Sequence, residues 1–373
     1  MAAGVLRRTI KRILLIVTIV VCIVYLLTLL IPYLNPQRWW LIGFLGLTFP
    51  YLFFLLVFVF FFWLMAKPKL ALVPLVTILL GAKQISVTFA AHMTANDLNK
   101  RFDSSIRIVS WNVANMYGLS NDKEIKQHNR KELAQTILDV KPDIICLQEF
   151  NHSYTQGEQA DNIGLFSKHY PDFYYSVDFN KQNGFYTSGS IVFSKYPIID
   201  SGRLDYPGSF TGSLLYVDIE VPGDTIRIFT THLQSFGFNT DDYADMNKIK
   251  EQNEEAIEAS KNIFNKMKAA FTNRGMQADI VRKEIDSCRY ASVVCGDFND
   301  VPTSYTYFHI RNKRQDAFLQ RSIGIGSTYN SVAPMLRIDY MLPDTSFTIQ
   351  QFDMIDESLS DHEMLVSDLK LKR

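Results

Sequence analysis

The chain has 373 residues, 38 Lys plus Arg against 38 Asp plus Glu, and 47% hydrophobic residues with 27 Phe. The neutral average hides a division: residues 1–91 carry eight basic side chains (Arg7, Arg8, Lys11, Arg12, Arg38, Lys67, Lys69, Lys83) and no Asp or Glu, so the remaining 282 residues hold 30 basic against 38 acidic groups, a net charge of −8. That asymmetry implies a membrane segment ahead of a water-soluble domain, and it excludes a small disulfide scaffold, a disordered chain and a coiled coil.

Ile13 to Leu34 and Trp39 to Met65 are uncharged runs of 22 and 27 residues, each long enough to cross a hydrocarbon core that needs roughly 20. A third span is predicted over 70–91, where Lys83 and Gln84 interrupt the apolar run and a Lys near a helix end snorkels to the interface. The competing reading of that third segment is a helix lying on the membrane surface or docked on the soluble domain. Arg7 to Arg12 resembles the charged region of a signal peptide, but the second long span argues against cleavage. Basic residues in the short flanks place the N-terminus in the cytoplasm. Three spans then put the soluble domain outside the cytoplasm, and two keep it inside.

A polar linker over 92–104 leads to a domain over 105–373. There, short apolar runs alternate with helical stretches: Ile106 to Trp111 and Asp143 to Leu147 read as strands and Arg130 to Val140 as a helix, the rhythm of an α/β domain. Further strands are predicted at Ser190 to Phe193, Leu214 to Ile219, Thr225 to Thr230, Ser292 to Cys295, Ile338 to Leu342 and Met364 to Leu369. Between His232 and Ser292, the residues Ile249, Ile257, Phe264, Met267 and Phe271 follow helical spacing, which predicts a helix packed by one face on the sheet edge. Cys22, Cys146, Cys288 and Cys295 show neither metal-ligand spacing nor a disulfide framework.

Polar residues fall at the ends of these strand runs, where α/β proteins build their sites. They are Trp111-Asn112, Gln148-Glu149, Thr231-His232-Leu233-Gln234, Gly296-Asp297-Phe298-Asn299, Arg337-Ile338-Asp339-Tyr340 and Ser360-Asp361-His362. Singly each is a weak signal, because a Glu or His at a strand end is usually structural. In this order, and with Ser190 to Pro197 between them, they resemble the endonuclease/exonuclease/phosphatase superfamily over about Ser105 to Leu371. The resemblance implies a four-layer α/β sandwich of two mixed β-sheets flanked by helices, and metal-dependent cleavage of phosphate esters, normally with magnesium and alternatively with manganese. One departure is Glu363-Met364, where relatives often carry Tyr-Pro or another apolar pair.

The chemistry assigns roles to the same residues. A phosphodiester is anionic and resists attack, so its hydrolysis needs a cation on the phosphoryl oxygens, an oriented water and donors for the developing charge. Glu149 suits magnesium as a hard carboxylate ligand, with Asn112 ligating or orienting beside it and Asp361 supplying a second oxygen or positioning His362. Asp297 is the candidate to orient and deprotonate the attacking water, and Asn299 donates its amide to nucleophile or phosphate. Asp339 and His362 read as a carboxylate–imidazole pair, with His232 as a further donor; whether Asp297 or His362 is the base stays open at this level.

The expected partners are a phosphate-ester substrate, either nucleic acid or a lipid or inositol phosphate head group, and a lipid bilayer through the N-terminal helices; no protein partner can be inferred. A nuclease or general phosphodiesterase is expected ahead of a phospholipase C-like, sphingomyelinase-type enzyme or an inositol-phosphate or lipid phosphatase. The net charge of −8 weakens the case for duplex DNA; clusters such as Arg311, Lys313 and Arg314 are candidates for a local basic groove, against the reading of a solvated surface. A noncatalytic membrane-tethered binding module is the competing class, and it predicts an eroded polar site where this one is intact. Arg337 is expected to make a structural salt bridge.

Overall fold

Four apolar helices open the chain: α1 (Ala2–Thr28), α2 (Leu41–Ala66), α3 (Pro68–Leu80) and, after Gly81, α4 (Ala82–Thr88). The computed structural model describes residues 2–92, 97–120, 122–208, 212–238, 242, 256–329 and 335–372. Two helices, Val5–Tyr33 and Leu41–Ala66, are long and apolar enough to cross a membrane, and α3 with α4 passes the same test as a pair bent by 61°. The segment expected as a third span is therefore bent at Gly81, the geometry of a broken span or of a re-entrant pair. Trp63 Nε1 of α2 donates to Thr18 Oγ1 of α1 at 2.9 Å, and the Tyr25 and Phe49 rings pack 5.4 Å apart, so α1 and α2 run antiparallel. Lys67, at the turn into α3, lies beside Lys11 of α1. The chain start and the second turn thus share one end of the bundle, and the first turn and α4 share the other.

That other end is held by the rest of the molecule. Asn35 Nδ2 donates to Asp279 Oδ2 at 2.9 Å, and Arg337 Nη2 donates to the Val87 carbonyl at 2.8 Å. A Cβ on Gly43 would fall 2.5 Å from the Phe271 ring, so glycine lets that ring seat against the backbone of α2. The stretch expected as a linker is likewise tied down. β1 (Ala90–Ala91) pairs with β10 (Ile323–Gly324), His92 bonds to Ser322 and Leu319, and Arg101 pairs with Asp143.

Two mixed sheets follow. One has six strands in the order β12 (Phe347–Ile355), β13 (Met364–Leu371), β2 (Ser105–Asn112), β3 (Ile144–His152), β5 (Tyr186–Ser194) and β4 (Asp172–Lys181). The other has five, in the order β11 (Asp339–Pro343), β9 (Ala291–Asp297), β8 (Asp224–His232), β7 (Ser213–Val221) and β6 (Ile198–Asp205). Among the described residues, only β2 with β3 and β8 with β9 pair in parallel. Side chains alternate faces along a strand, so Ile106 and Ile108 of β2 enter the core between the sheets, while Val109 and Trp111 pack outward under α5 (Lys123–Asp139). With layers covering them on either side, these central strands carry apolar side chains on both faces, and Arg107 of β2 is buried against Asp368 of β13. On the far side, α6 (Ala256–Ser287) and α7 (Tyr305–Arg311) cover the five-stranded sheet. The result is the four-layer sandwich expected from the sequence.

The helix α6 uses two faces. Ala278, Val281 and Ile285 pack on the sheet, whereas Phe264 and Phe271 meet Phe44 of α2 at 5.1 and 5.0 Å. The apolar row read from the sequence therefore turns to the membrane helices rather than to a sheet edge. Ile257 of that row is exposed, and Ile249 lies outside the described residues. Arg337 forms the structural bridge expected of it, with Asp316 at 2.8 Å. Arg314 is buried against the Ser292 and Leu342 carbonyls and belongs to no basic groove.

Candidate active site

Topology gathers the polar strand ends. The parallel pairs β2–β3 and β8–β9 point their C-terminal ends the same way, and β11 and β13, antiparallel to β9 and β2, begin there. Asn112 ends β2, His232 ends β8, Asp297 ends β9, Asp339 opens β11, and His362 lies two residues before β13. Asp339 is the cross-strand partner of Asp297, and His232 its parallel neighbour. All eight candidate residues come to this one end of the sandwich.

Glu149 owes its position to an irregularity. Its φ is 50°, and the β3–β5 register shifts between Leu147 and Phe150. A bulge of this kind re-aims a side chain, and a non-glycine residue at positive φ is a strained conformation typical of functional sites. Asn299 also has a positive φ, 52°, which turns its amide back to donate to Asp297 Oδ2 at 3.0 Å and to the Leu233 carbonyl at 3.0 Å. Gly296 permits the turn before it: at φ 126° a Cβ would meet the Thr231 carbonyl at 2.1 Å.

The side chains then form one network. Asn112 Nδ2 donates to Glu149 Oε1 and to Asp297 Oδ2, both at 3.1 Å, and its Oδ1 accepts from the Ala114 N–H. His232 Nε2 lies 3.6 Å from both Glu149 Oε1 and Asp297 Oδ2 and is enclosed without a hydrogen-bond partner among the described residues. His362 Nδ1 is 2.9 Å from Asp339 Oδ2, and its Nε2 faces Asp297 Oδ2 at 3.8 Å. Its backbone is fixed from behind, where Trp111 Nε1 donates to the His362 carbonyl at 2.7 Å and the Ser360 hydroxyl accepts from the His362 N–H.

Burial raises the Asp297 carboxyl, and the facing Asp339 charge adds to it, to about 6. Burial alone would strip the proton from His362, but the charges of Asp339 and Asp297 outweigh it and push the imidazole up to about 10. The Asp361 carboxyl is also raised, by burial first and by the Glu149 charge among the other causes. At neutral pH the site therefore holds a buried imidazolium among several carboxylates.

The donor set is rich in hard oxygens and contains no thiolate, which fits magnesium or manganese. Asp297, Asp339 and His362 form a group whose ligand atoms lie within 4.8 Å of one another. His362 Nδ1 already engages Asp339 there, so Glu149, half-exposed at the opening, is the better first ligand.

Several residues of the site escape the sequence reading. Asn115 has a φ of 61°, and its Nδ2 lies 3.5 Å from Glu149 Oε2 while its Oδ1 accepts from the Tyr186 hydroxyl at 2.6 Å. Asp178, held by the Ser213 hydroxyl, lines a cavity of about 330 Å³ with Asn115, Tyr186, Ser188 and His232. The Tyr329 ring packs 4.8 Å from the His362 ring. Only Asn115, next to Trp111-Asn112, had a neighbouring signal in the sequence.

The model of the Endonuclease/Exonuclease/phosphatase family matches residues 109–362, and a domain of unknown function (DUF8431) matches residues 11–88. No curated protein matches the chain in sequence. The solved endonuclease/exonuclease/phosphatase from Beutenbergia cavernae DSM 12333 is similar with a TM-score of 0.52 and 21% identity, over 72% of this chain and 72% of its own. The catalytic domain of human Nocturnin has a TM-score of 0.50 and 17% identity, over 73% of this chain and 97% of its own. A protein from Bacteroides vulgatus described as an endonuclease/exonuclease/phosphatase has a TM-score of 0.50 and 18% identity, over 72% of this chain and 100% of its own. At these identities the likeness shows the shared fold.

Proposed function

The chain belongs to the endonuclease/exonuclease/phosphatase family, and on that premise we propose that it is a membrane-anchored, magnesium-dependent phosphoesterase that hydrolyses phosphodiesters. One observation carries the reading: His362, paired with Asp339, faces Asp297 across 3.8 Å beside Glu149. A buried imidazolium opposite a carboxylate and next to oxygen ligands suits in-line attack of water on phosphorus.

Glu149 would hold the metal, with Asp361 as a second oxygen donor and Asn112 orienting Glu149 through its amide. When bound, the metal would neutralise charge on the phosphoryl oxygens. Asp297 takes the proton from the attacking water, since its carboxyl, near 6, is ionised at neutral pH and ready to accept. His362 keeps its own proton and donates from Nε2 to a phosphoryl oxygen, while Asp339 fixes the ring through Nδ1. Asn299 holds Asp297 in place, and the enclosed His232 Nε2 is left for a substrate oxygen.

The domain limits follow the same reading, with the anchor over 1–91 and the catalytic domain over 105–373. A general phosphodiesterase fits better than a nuclease for duplex DNA, because the net charge beyond residue 91 is −8 and burial takes Arg314 out of the Arg311, Lys313, Arg314 cluster. The test is turnover of a simple phosphodiester by the full chain with magnesium, with EDTA and as Asp297→Asn. Activity lost to EDTA, and reduced about 10²- to 10⁴-fold in the variant, is expected; a variant as fast as the parent would overturn the mechanism.

A further inference from the structure

The site has a second opening, and its far wall is the membrane anchor. A cavity of about 410 Å³ begins at Glu149, Asp297 and His362 and runs to Leu47, Pro50 and Tyr51 of α2. Ile263 and Met267 of α6 and Phe238 line it between these ends. The catalytic end is charged, and the remainder is mostly apolar, with Thr88, Ser235 and Thr303 among its few polar side chains.

The depth of this cleft can be read from the helix. Leu47 to Tyr51 lie two to three turns into α2, roughly 10–15 Å from its start at Leu41. Tyr33, Trp39 and Tyr51 are exposed around this end of the bundle. Exposed aromatic residues of this kind collect at the membrane–water boundary. The remainder of α2, to Ala66, is apolar and continues away from the site. The cleft therefore spans the step from head-group region to hydrocarbon, with the carboxylates on its watery side.

Glu149 also borders the second cavity, of about 330 Å³, whose wall carries the polar side chains of Asn115, Asp178, Tyr186 and Ser188. Glu149 thus touches both this more polar chamber and the apolar cleft. A substrate matched to both has a polar group on one side of its phosphorus and a hydrocarbon chain on the other. Nucleic acid has no such division, and an apolar cleft offers its phosphates no counter-charge.

Resting on the phosphoesterase reading above, we infer that the substrate is an amphiphilic phosphodiester of the bilayer, whose hydrocarbon chain lies in the cleft between α2 and α6 and whose polar head group enters the chamber beside Asp178 and Tyr186. Such a lipid reaches the phosphoryl position laterally, from the leaflet facing the catalytic domain, without leaving the membrane. Burial of its methylenes against Leu47, Ile263 and Met267 favours longer chains.

The test uses the full chain in lipid nanodiscs with magnesium. It is offered p-nitrophenyl phosphodiesters whose second group is methyl, octyl or hexadecyl, and a labelled single-stranded DNA. kcat/KM for the octyl diester is expected to exceed that of the methyl diester by about a hundredfold, with DNA poorer still. In Leu47→Gln and in Met267→Gln the octyl-to-methyl ratio should fall by about tenfold. An octyl diester carrying a terminal diazirine should crosslink to peptides of α2 or α6. Equal rates on methyl and octyl diesters would overturn the lipid inference and leave the phosphoesterase reading standing. A chain-length preference undiminished in both variants would trace it to partitioning into the bilayer, and would overturn the cleft. Crosslinking without turnover of any diester would reject the phosphoesterase reading and keep the cleft as a lipid site; neither crosslinking nor turnover would reject both.

Discussion

The Thr303 hydroxyl donates to the Gly46 carbonyl at 2.9 Å, joining the catalytic domain to the second turn of a membrane helix. Gly46 needs this donor because Pro50, four residues on, lacks the N–H that would close the helical turn. Buried carbonyls that lose a partner in an apolar setting are costly. Thr303→Val should therefore lower stability by about 1–3 kcal/mol. Pro50→Ala restores the helical donor, so Thr303→Val should cost markedly less in that background. Chemical denaturation in detergent micelles reads both; equal costs in the two backgrounds would show that Gly46 does not depend on Thr303.

The pH dependence of turnover carries a sign for each limb. Activity should rise as Asp297 loses its proton, at or below about 6, since a bound cation favours the carboxylate further. It should fall near 10, where His362 loses the proton that Asp339 and Asp297 hold on it. Asp339→Asn removes a charge that raises both groups, so both limbs should move to lower pH, the alkaline limb further. A kcat/KM profile of the variant with its alkaline limb unmoved would remove His362 from the proton inventory.

Arg274 and Asp300 form a buried pair at 3.3 Å, and the guanidinium lies over the Phe236 and Phe271 rings at 4.7 and 4.9 Å. Burial disfavours both charges, lowering the Arg274 pKa and raising that of Asp300. Arg274→Met leaves the carboxylate uncompensated and should cost about 3–5 kcal/mol. Adding Asp300→Asn should recover part of that loss, because the stranded charge is gone. Denaturation midpoints of the single and double variants decide it, and a double variant no better than Arg274→Met would rule out charge as the cause.

Six basic residues (Arg7, Arg8, Lys11, Arg12, Lys67 and Lys69) lie in the N-terminal segment or follow the α2–α3 turn, at the bundle end away from the catalytic domain; Arg38 and Lys83 belong to the other end. The tendency of basic flanks to stay in the cytoplasm predicts that this end faces inward and that the catalytic domain lies across the membrane. In a bacterial host, alkaline phosphatase fused at the C-terminus should be active and a green fluorescent protein fusion dark. The reverse pattern would place the domain inside and the basic end outside, overturning the orientation drawn from charge.

The strands missed in the sequence have one physical cause. β4, β6 and β12 are all sheet edges, where less of each strand is covered and polar residues interrupt the apolar run, as in Ile198–Asp205. The central strands are sandwiched between layers and carry apolar residues on both faces, as Ile106, Ile108 and Val109 do in β2 and Val293 to Cys295 in β9. The polar residues at their ends were legible because strand ends carry few other constraints. Asn115 and Asp178 were not, since one depends on a left-handed turn and the other lies inside an edge strand. The role of α2 in the site had no sequence signal at all, because Leu47 and Tyr51 look like any residues of an apolar helix.

The interlocking of anchor and domain bears on any attempt to handle the enzyme in pieces. A fragment beginning after residue 92 would expose Phe264 and Phe271 to water and deprive Thr303 and Arg337 of the carbonyls they serve. It would also lose one wall of the substrate cleft, formed by Leu47, Pro50 and Tyr51. The helices before residue 92 are thus structural members of the catalytic unit rather than a removable tether.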